Sequence, residues 1–109
     1  MGESLSSGAL TEATYLILMA VHKPRHGYAI MKFIQNLTNN RVNLGTGTLY
    51  GALNILTGKG WIEIHTNNIQ NNKKQYIITE AGKESALLEL KRLHSLYQLG
   101  LQTIEEAET

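Results

Sequence analysis

Residues 46–66, TGTLYGALNILTGKGWIEIHT, carry the change of pattern on which the fold prediction rests. In the first half, apolar side chains recur at the i, i+3, i+4 and i+7 positions of a helix: Leu49, Ala52, Leu53 and Leu56. This spacing predicts a helix that begins at Thr46, buries one face and ends at residues 58–60, where two glycines suit a left-handed cap. In the second half, Ile62 and Ile64 alternate with side chains of the opposite face, which predicts a β-strand.

The strand is expected to continue to about residue 66. Residues 67–74, NNIQNNKK, are polar and rich in asparagine, whereas residues 75–78, QYII, have the apolar and β-branched side chains of a second strand. Two strands joined by a polar stretch predict a β-hairpin with a long, solvated loop.

Two helices are predicted before this region. Residues 10–21 are apolar on all faces, which indicates a helix buried on more than one side, and Thr11 suits its start. Residues 23–27, KPRHG, predict a tight turn. Residues 28–40 predict the second helix, which ends at two asparagines that tolerate the left-handed conformation. Residues 41–44 are expected to form a short extended piece.

Thr79 is a suitable N-cap for a last helix that extends to about Glu105. Side chains along this helix are spaced alternately three and four residues apart, as in the seam of a coiled coil. They are Leu87, Leu90, His94, Tyr97, Leu101 and Ile104. Further leucines widen the apolar surface, so we expect a second copy of the chain to cover it in a homodimer. The alternative is a helix that folds back on its own core.

The composition bounds the class of protein. The chain has 109 residues, enough for one domain with a small core, and 42% of them are hydrophobic. The absence of cysteine excludes disulfides, zinc ribbons, thiol catalysis and iron–sulfur clusters. No apolar run reaches about 18 residues and residues 1–10 lack a signal core, so we expect a cytoplasmic protein with no membrane partner.

No catalytic or metal site is expected. The chain has no aspartate, no phosphate-binding glycine loop and no cluster of carboxylates, so we predict that it is not an enzyme. His22 and His26 stand four residues apart, but Pro24 breaks any helix that would align them as metal ligands. His65 and His94 are isolated. No metal and no cofactor is therefore predicted.

Basic side chains are concentrated in the first part of the chain. Residues 1–78 hold seven basic and three acidic side chains, whereas residues 79–109 hold three basic and six acidic ones. The first part is therefore the one that suits a polyanion such as DNA.

The order of predicted elements is three helices, a hairpin and a long helix, which gives a mainly α fold with a small β-hairpin. This order is typical of a winged helix-turn-helix domain, here followed by a dimerisation helix. We predict a mobile N-terminus at residues 1–9, a DNA-binding domain at residues 10–78 and a C-terminal dimerisation helix at residues 79–109. In this layout the third helix enters the major groove of double-stranded DNA.

Six side chains are candidates for DNA contact: Thr46, Thr48, Tyr50, Asn54, Lys73 and Lys74. The threonines stand at the start of the third helix, where free N–H groups suit a phosphate. Tyr50 can contact a phosphate or a thymine methyl group, Asn54 can pair with an adenine edge, and the wing lysines can contact phosphates. Gly47 and Gly51 leave room for a close approach. The alternatives are a helix cap, packing under the wing and ordinary solvated side chains.

Three blocks of the sequence resemble the PadR-type transcriptional regulators. They are residues 10–18 (LTEATYLIL) with residues 24–28 (PRHGY), residues 47–53 (GTLYGAL), and residues 73–76 (KKQY) followed by residues 78–82 (ITEAG). Their order and spacing are those of the family, and the similarity extends over most of the chain.

The resemblance implies a homodimeric repressor that binds an inverted repeat and dimerises through its long C-terminal helix. It matches Thr48 and Tyr50 with DNA-contacting positions, and Lys73 with Lys74 as the basic pair of the wing. The single C-terminal helix is similar to that of the smaller subgroup, in which some members bind planar drugs between the helices of the dimer. The chain departs from the family where Gly51 replaces a frequent proline and Ile55 a frequent basic residue.

A small planar amphiphile is the effector that this subgroup suggests. Between two long helices we expect an apolar space lined by Leu16, Ala20, Leu93 and Tyr97, with plain dimer packing as the alternative. For the chain as a whole, the alternative to a DNA-binding repressor is a winged-helix module that binds proteins, because the third helix carries no basic side chain before Lys59.

Overall fold

A computed structural model describes residues 8–68 and 73–108, and the side chains of residues 66–68 and 73 lie outside this description. The described elements are α1 (Glu12–Ala20), α2 (Gly27–Leu37), α3 (Thr46–Gly58), β1 (Ile62–Asn68), β2 (Lys73–Ile78) and α4 (Glu80–Ala107). The predicted fold class, mainly helical with a hairpin and a long C-terminal helix, is confirmed. The expectations for residues 1–7 and for the hairpin loop at residues 69–72 lie outside the described residues.

Helix α1 begins where the sequence predicts. The hydroxyl of Thr11 accepts a hydrogen bond of 3.1 Å from the amide of Thr14, and Glu12 favours the positive end of the helix. Four of its side chains are buried, namely Leu16, Ile17, Leu18 and Ala20. The helix is therefore enclosed on several sides, as its continuous apolar pattern indicates.

The connection between α1 and α2 differs from the predicted tight turn. Arg25 is extended and pairs with Tyr76 of β2: the Arg25 amide donates to the Tyr76 carbonyl at 3.1 Å, and the Tyr76 amide donates to the Arg25 carbonyl at 2.8 Å. The Arg25 guanidinium lies 4.3 Å from the ring centroid of Phe33. This segment therefore ties the helices to the hairpin.

Helix α2 begins after His26, whose Nδ1 accepts a hydrogen bond of 3.3 Å from the amide of Ala29. It ends at Leu37, and Asn39 and Asn40 follow with φ angles of 53° and 64°. Asparagines therefore occupy the left-handed region just beyond the helix, as predicted. The expected extended piece joins α2 to α3 without strand pairing.

Helix α3 has the predicted start and the predicted buried face. Its buried side chains are Leu49, Leu53 and Leu56. They meet Ile17, Leu18, Ile30, Ile34 and Ile62 from the other elements in a single core. The chain leaves the helix through Gly60, whose φ of 76° is a left-handed conformation that favours glycine.

The hairpin is longer than the sequence predicts. Its antiparallel register pairs Ile62 with Ile78 and Ile64 with Tyr76, and the register shifts between Ile64 and Thr66. Ile62 is buried, whereas Ile64 is 45% exposed although the register places both on one face and its partner Tyr76 is only 8% exposed. Because Arg25 pairs with the other edge of β2, β1 is the outer strand, and its side chains leave the core after Ile62.

A set of short contacts joins the hairpin to α4. The Thr79 amide donates to the Trp61 carbonyl at 2.9 Å, and the Thr79 hydroxyl donates to the Gly60 carbonyl at 2.6 Å and accepts from the Gly82 amide at 3.1 Å. A β-carbon on Gly82 would overlap the Trp61 carbonyl oxygen. We call these four residues the wing–α4 clasp.

Candidate nucleic-acid interface

The exposed side of α3 carries all four of the helix residues predicted to contact DNA. Thr46, Thr48, Tyr50 and Asn54 are exposed, because Leu49, Leu53 and Leu56 take the opposite side into the core. The N-cap residue is Gly45, and it forms no side-chain cap. The amides of the first turn are therefore not covered by a capping side chain and can face an anion.

Tyr50 is the most constrained of these side chains. It is 44% exposed, and its ring lies over Gly27 at the start of α2, where a β-carbon would come within 2.8 Å of the Tyr50 Cζ. The glycine therefore makes room for the ring. One side of Tyr50 is fixed against α2 and the other faces solvent.

A concave surface with a volume of about 460 Å³ lies between α2, α3 and β2. Its lining residues are His26, Gly27, Tyr28, Tyr50, Asn54, Lys74 and Tyr76. It brings together three of the predicted DNA-contacting residues, Tyr50, Asn54 and Lys74, from two elements. It also includes the start of α2, which the sequence analysis did not single out.

The electrostatics of this concave surface favour an anion. None of its lining residues is acidic, and Lys74 is exposed. The pKa of the Tyr76 phenol is raised, chiefly by burial and to a smaller extent by the nearby Tyr50. Tyr76 therefore stays protonated at neutral pH and keeps its hydroxyl as a hydrogen-bond donor.

The two wing lysines are described to different extents. Lys74 pairs with Asn67 in the hairpin register, and its side chain faces solvent. Lys73 pairs with Asn68 through the backbone, but its side chain is outside the described residues.

A second concave surface, of about 490 Å³, flanks α3 on the side toward α1. From α3 it is lined by Thr48, Gly51 and Ile55, and from neighbouring elements by Leu10 and Trp61 among others. Ile55 is 61% exposed there. In the sequence, Ile55 stands out only as a position without charge, since a lone apolar residue on an exposed face gives no periodic signal.

The predicted dimer seam is exposed in the single chain. All six of its residues face solvent, and so do Leu88, Leu93, Leu96 and Leu99. Leu87 and Leu90 also line an apolar groove of about 410 Å³ together with Tyr15, Phe33 and Leu37 from α1 and α2. The seam is thus continuous with the body of the domain.

The four residues predicted to line an effector site are only partly brought together. Leu16 and Leu93 line one groove of about 370 Å³ between α1 and α4. Ala20 is fully buried in the core, and Tyr97 lies farther along α4, outside the lining of this groove.

Glu89 lies in the same groove and was not predicted. It is only 3% exposed, its carboxylate accepts a hydrogen bond of 3.2 Å from the Leu10 amide, and it is paired with Arg92. The hydrogen bond from Arg92 holds the pKa of Glu89 below its usual range against the opposing effect of burial. The i,i+3 spacing with Arg92 was a visible signal, but burial of the pair was not.

Two classes of site are not found in the described part of the chain. No helix there is long and apolar enough to cross a membrane. No group of three or more histidine or acidic side chains in residues 8–68 and 73–108 could hold a metal ion.

Three helices, a hairpin that pairs back onto them and an exposed α3 define a winged-helix protein. The sequence model of the transcriptional regulator PadR-like family matches residues 16–87. The chain belongs to this family of transcriptional regulators.

The chain is also similar to one uncharacterised relative and, in fold, to two solved structures. An uncharacterised protein X of Lysinibacillus sphaericus is 32% identical over 95 residues, which cover 80% of this chain and 87% of that protein. A PadR family transcription regulator from Clostridium difficile R20291 has a TM-score of 0.73 at 24% identity, covering 86% of this chain and 99% of its own. A PadR family regulator from Eggerthella lenta DSM 2243 has a TM-score of 0.72 at 23% identity, covering 96% of this chain and 89% of its own.

Proposed function

We propose that this PadR-like protein is a homodimeric repressor that binds an inverted-repeat operator through α3 and the wing. The observation that carries the proposal is the concave surface on which Tyr50, Asn54 and Lys74 meet without an acidic neighbour. A polar, exposed and weakly basic surface beside an open helix N-terminus is suited to the edge and backbone of duplex DNA.

The roles of the individual side chains follow from their chemistry. Asn54 reads an adenine edge, and Tyr50 contacts a phosphate or a thymine methyl group. Thr46 and Thr48, with the amides of the first turn, hold a phosphate. Lys73 and Lys74 contact the flanking backbone and supply affinity that depends little on sequence.

Dimerisation supplies the second half of the site. The exposed seam on α4 and the groove beside Leu87 and Leu90 present more apolar surface than a monomer normally leaves in water. A second copy of the chain covers this surface. Two α3 helices then lie about 34–36 Å apart, one turn of DNA, and read the two halves of an inverted repeat.

The groove that contains Leu16 and Leu93 supports a small planar amphiphile as the releasing effector. Its walls are apolar apart from Glu12, Glu89 and Arg92, so an effector would combine a flat apolar body with a polar end. Tyr97 would contribute from α4 of the dimer. The proposed function requires access to the chromosome, which agrees with the expected cytoplasmic location. It involves no catalysis.

The test is fluorescence anisotropy of the purified protein with DNA from upstream of its own gene, measured over a salt series with a scrambled competitor. We expect selective binding that weakens with salt. Asn54→Ala should lose affinity for the operator but not for scrambled DNA. Tyr50→Ala should do the same where Tyr50 contacts a thymine methyl group, and should weaken binding to both where it contacts a phosphate. Lys74→Ala should weaken binding to both and lower the salt slope by about one. Lys91→Ala, an exposed lysine on α4, is the matched control.

The second candidate function is a winged-helix module that binds a protein. The observation that favours it is Ile55, an exposed apolar side chain on a helix that has no basic residue before its end. This function predicts no selective DNA binding at any salt concentration, together with a protein partner whose capture is lost in Ile55→Ala.

A further inference from the structure

We propose that Ile55 is a specificity-determining residue that reads thymine by contact with its C5-methyl group. The inference rests on the proposed function, because it concerns which base edges α3 prefers once it lies in the major groove. It adds an aliphatic side chain to a set of contacts that otherwise consists of hydroxyl, amide, ammonium and aromatic groups.

Ile55 lies on α3 at a position that can face the DNA. It follows Thr48 by seven residues, which brings the two side chains to nearly the same face of an α-helix. Thr48 and Ile55 both line the concave surface toward α1, and both face away from the core. Ile55 also follows Asn54 directly, and both are exposed. An orientation of α3 in which Thr48 meets a phosphate at the start of the helix and Asn54 reaches a base edge therefore brings Ile55, two turns beyond Thr48, into the same groove.

The Ile55 side chain is purely apolar, which favours one group in the major groove. Ile55 is 61% exposed and has only hydrocarbon to offer. The base edges in the major groove present donors and acceptors for every pair, and the thymine C5-methyl is their one apolar group. Contact with that methyl group removes apolar surface from water on both sides, whereas any other base edge would lose hydration against Ile55 without a partner.

The surroundings of Ile55 have both the space and the charge that DNA binding requires. No acidic residue lines the concave surface, and its one basic lining residue is Lys59, whose ammonium lies 5.1 Å from the centroid of the Trp61 ring. One turn before Ile55, a β-carbon on Gly51 would meet nothing within 4 Å. There is consequently room beside Ile55 for the methyl group, and the charge around it suits an anionic partner.

The experiment replaces thymine by uracil, which pairs identically but lacks the methyl group. An operator is first selected from a random-sequence DNA pool with the wild-type protein. Each thymine of a half-site is then replaced by uracil in turn, and Kd is measured for the wild type, Ile55→Ala and Ile55→Val. We expect at least one uracil to weaken wild-type binding about fourfold, the size expected for one buried methyl group.

The variants identify the side chain responsible. Ile55→Ala should abolish the effect of at least one uracil, Ile55→Val should reduce it, and Tyr50→Ala and Asn54→Ala should bind more weakly overall but keep that effect. If no uracil weakens wild-type binding, or if Ile55→Ala keeps the full effect at every uracil, the inference is overturned and the DNA-binding function stands. If the pool yields no selected sequence, the proposed function fails and this inference fails with it.

Discussion

The phenol of Tyr50 lies directly over Gly27, so that this aromatic side chain of α3 packs against the first residue of α2. The two residues belong to the separate sequence blocks PRHGY and GTLYGAL. Their contact means that α2 sets the direction in which Tyr50 faces solvent.

Gly27→Ala is expected to displace Tyr50, because the added methyl group would overlap the phenol. Overpacking costs about 1–3 kcal/mol in the free energy of unfolding, and the low end is expected here because the overlap is with the far end of a side chain that can move. Urea denaturation measures it, and operator affinity should fall together with stability. In a Tyr50→Ala background the same glycine substitution should be neutral, since the overlap is gone. Equal costs in both backgrounds would show that Tyr50 is not the obstacle.

Gly82→Ala is expected to weaken the wing–α4 clasp. A β-carbon there would overlap the backbone carbonyl of Trp61, which cannot move as a side chain does. The expected loss is at least about 2 kcal/mol, measured by urea denaturation. Gly58→Ala is the matched control, because a β-carbon at that helical glycine would meet nothing within 4 Å. A loss of similar size in both variants would argue against the clasp.

Gly51→Ala should separate stability from function. Its β-carbon would meet nothing in the protein, and alanine favours a helix over glycine by about 1 kcal/mol, so the free energy of unfolding should rise. Operator affinity should nevertheless fall, because the methyl group projects from the DNA-facing side of α3. Thermal denaturation and anisotropy give the two readouts. If Gly51→Ala is more stable and binds the operator with unchanged affinity, α3 does not approach DNA closely at position 51.

Glu89→Gln should remove part of the pH dependence of stability. Because the folded-state pKa of Glu89 is lowered, chiefly by Arg92, its stabilising effect is complete above its unfolded pKa near 4.5 and is lost as pH falls through the folded value. We therefore expect the variant to be less stable by about 1–2 kcal/mol at pH 7 but to lose less on acidification. Glu84→Gln, an exposed carboxylate on α4, should follow the wild type.

Leu101→Glu tests the proposed dimer without touching the core. A charge placed in the seam would be buried on association, so the dimer dissociation constant should rise at least about 100-fold. Analytical ultracentrifugation should then find the 12.1 kDa monomer, and operator binding should fall in parallel. Thr103→Glu, on another face of α4, should remain dimeric. A monomeric wild type would contradict the proposed assembly.

Local patterns were sufficient to predict the type and order of the described elements. Thr11, Thr79 and the asparagines after α2 act where a cap or a left-handed residue is needed, and each of these signals lies within a few residues of its effect. The exposed face of α3 followed from its buried one, which is why Tyr50 and Asn54 could be placed on it. Such features depend on short stretches of chain.

The features that the sequence did not predict depend on distant partners. Arg25 pairs with Tyr76, and the Leu10 amide donates to Glu89, so each contact joins segments far apart in the chain. Ile64 shares the alternation of Ile62 but is exposed, because β1 becomes the outer strand only when Arg25, far away in the sequence, pairs with the other edge of β2. The overlap that requires glycine at position 82 becomes visible only once Trp61 lies beside it.

The wing–α4 clasp joins the start of the long helix to the residues before β1 through two hydrogen bonds from Thr79, so a rotation of α4 would be passed on to the rest of the domain. At 1.5 Å per residue the helix is about 42 Å long. In the proposed dimer, the two α4 helices cross at some angle. A change of about 10° in that angle would move a point about 20 Å from the crossing by roughly 3.5 Å, close to the rise of one base pair. A small molecule wedged against α4 could thus put the two α3 helices out of step with the operator while each domain stays folded.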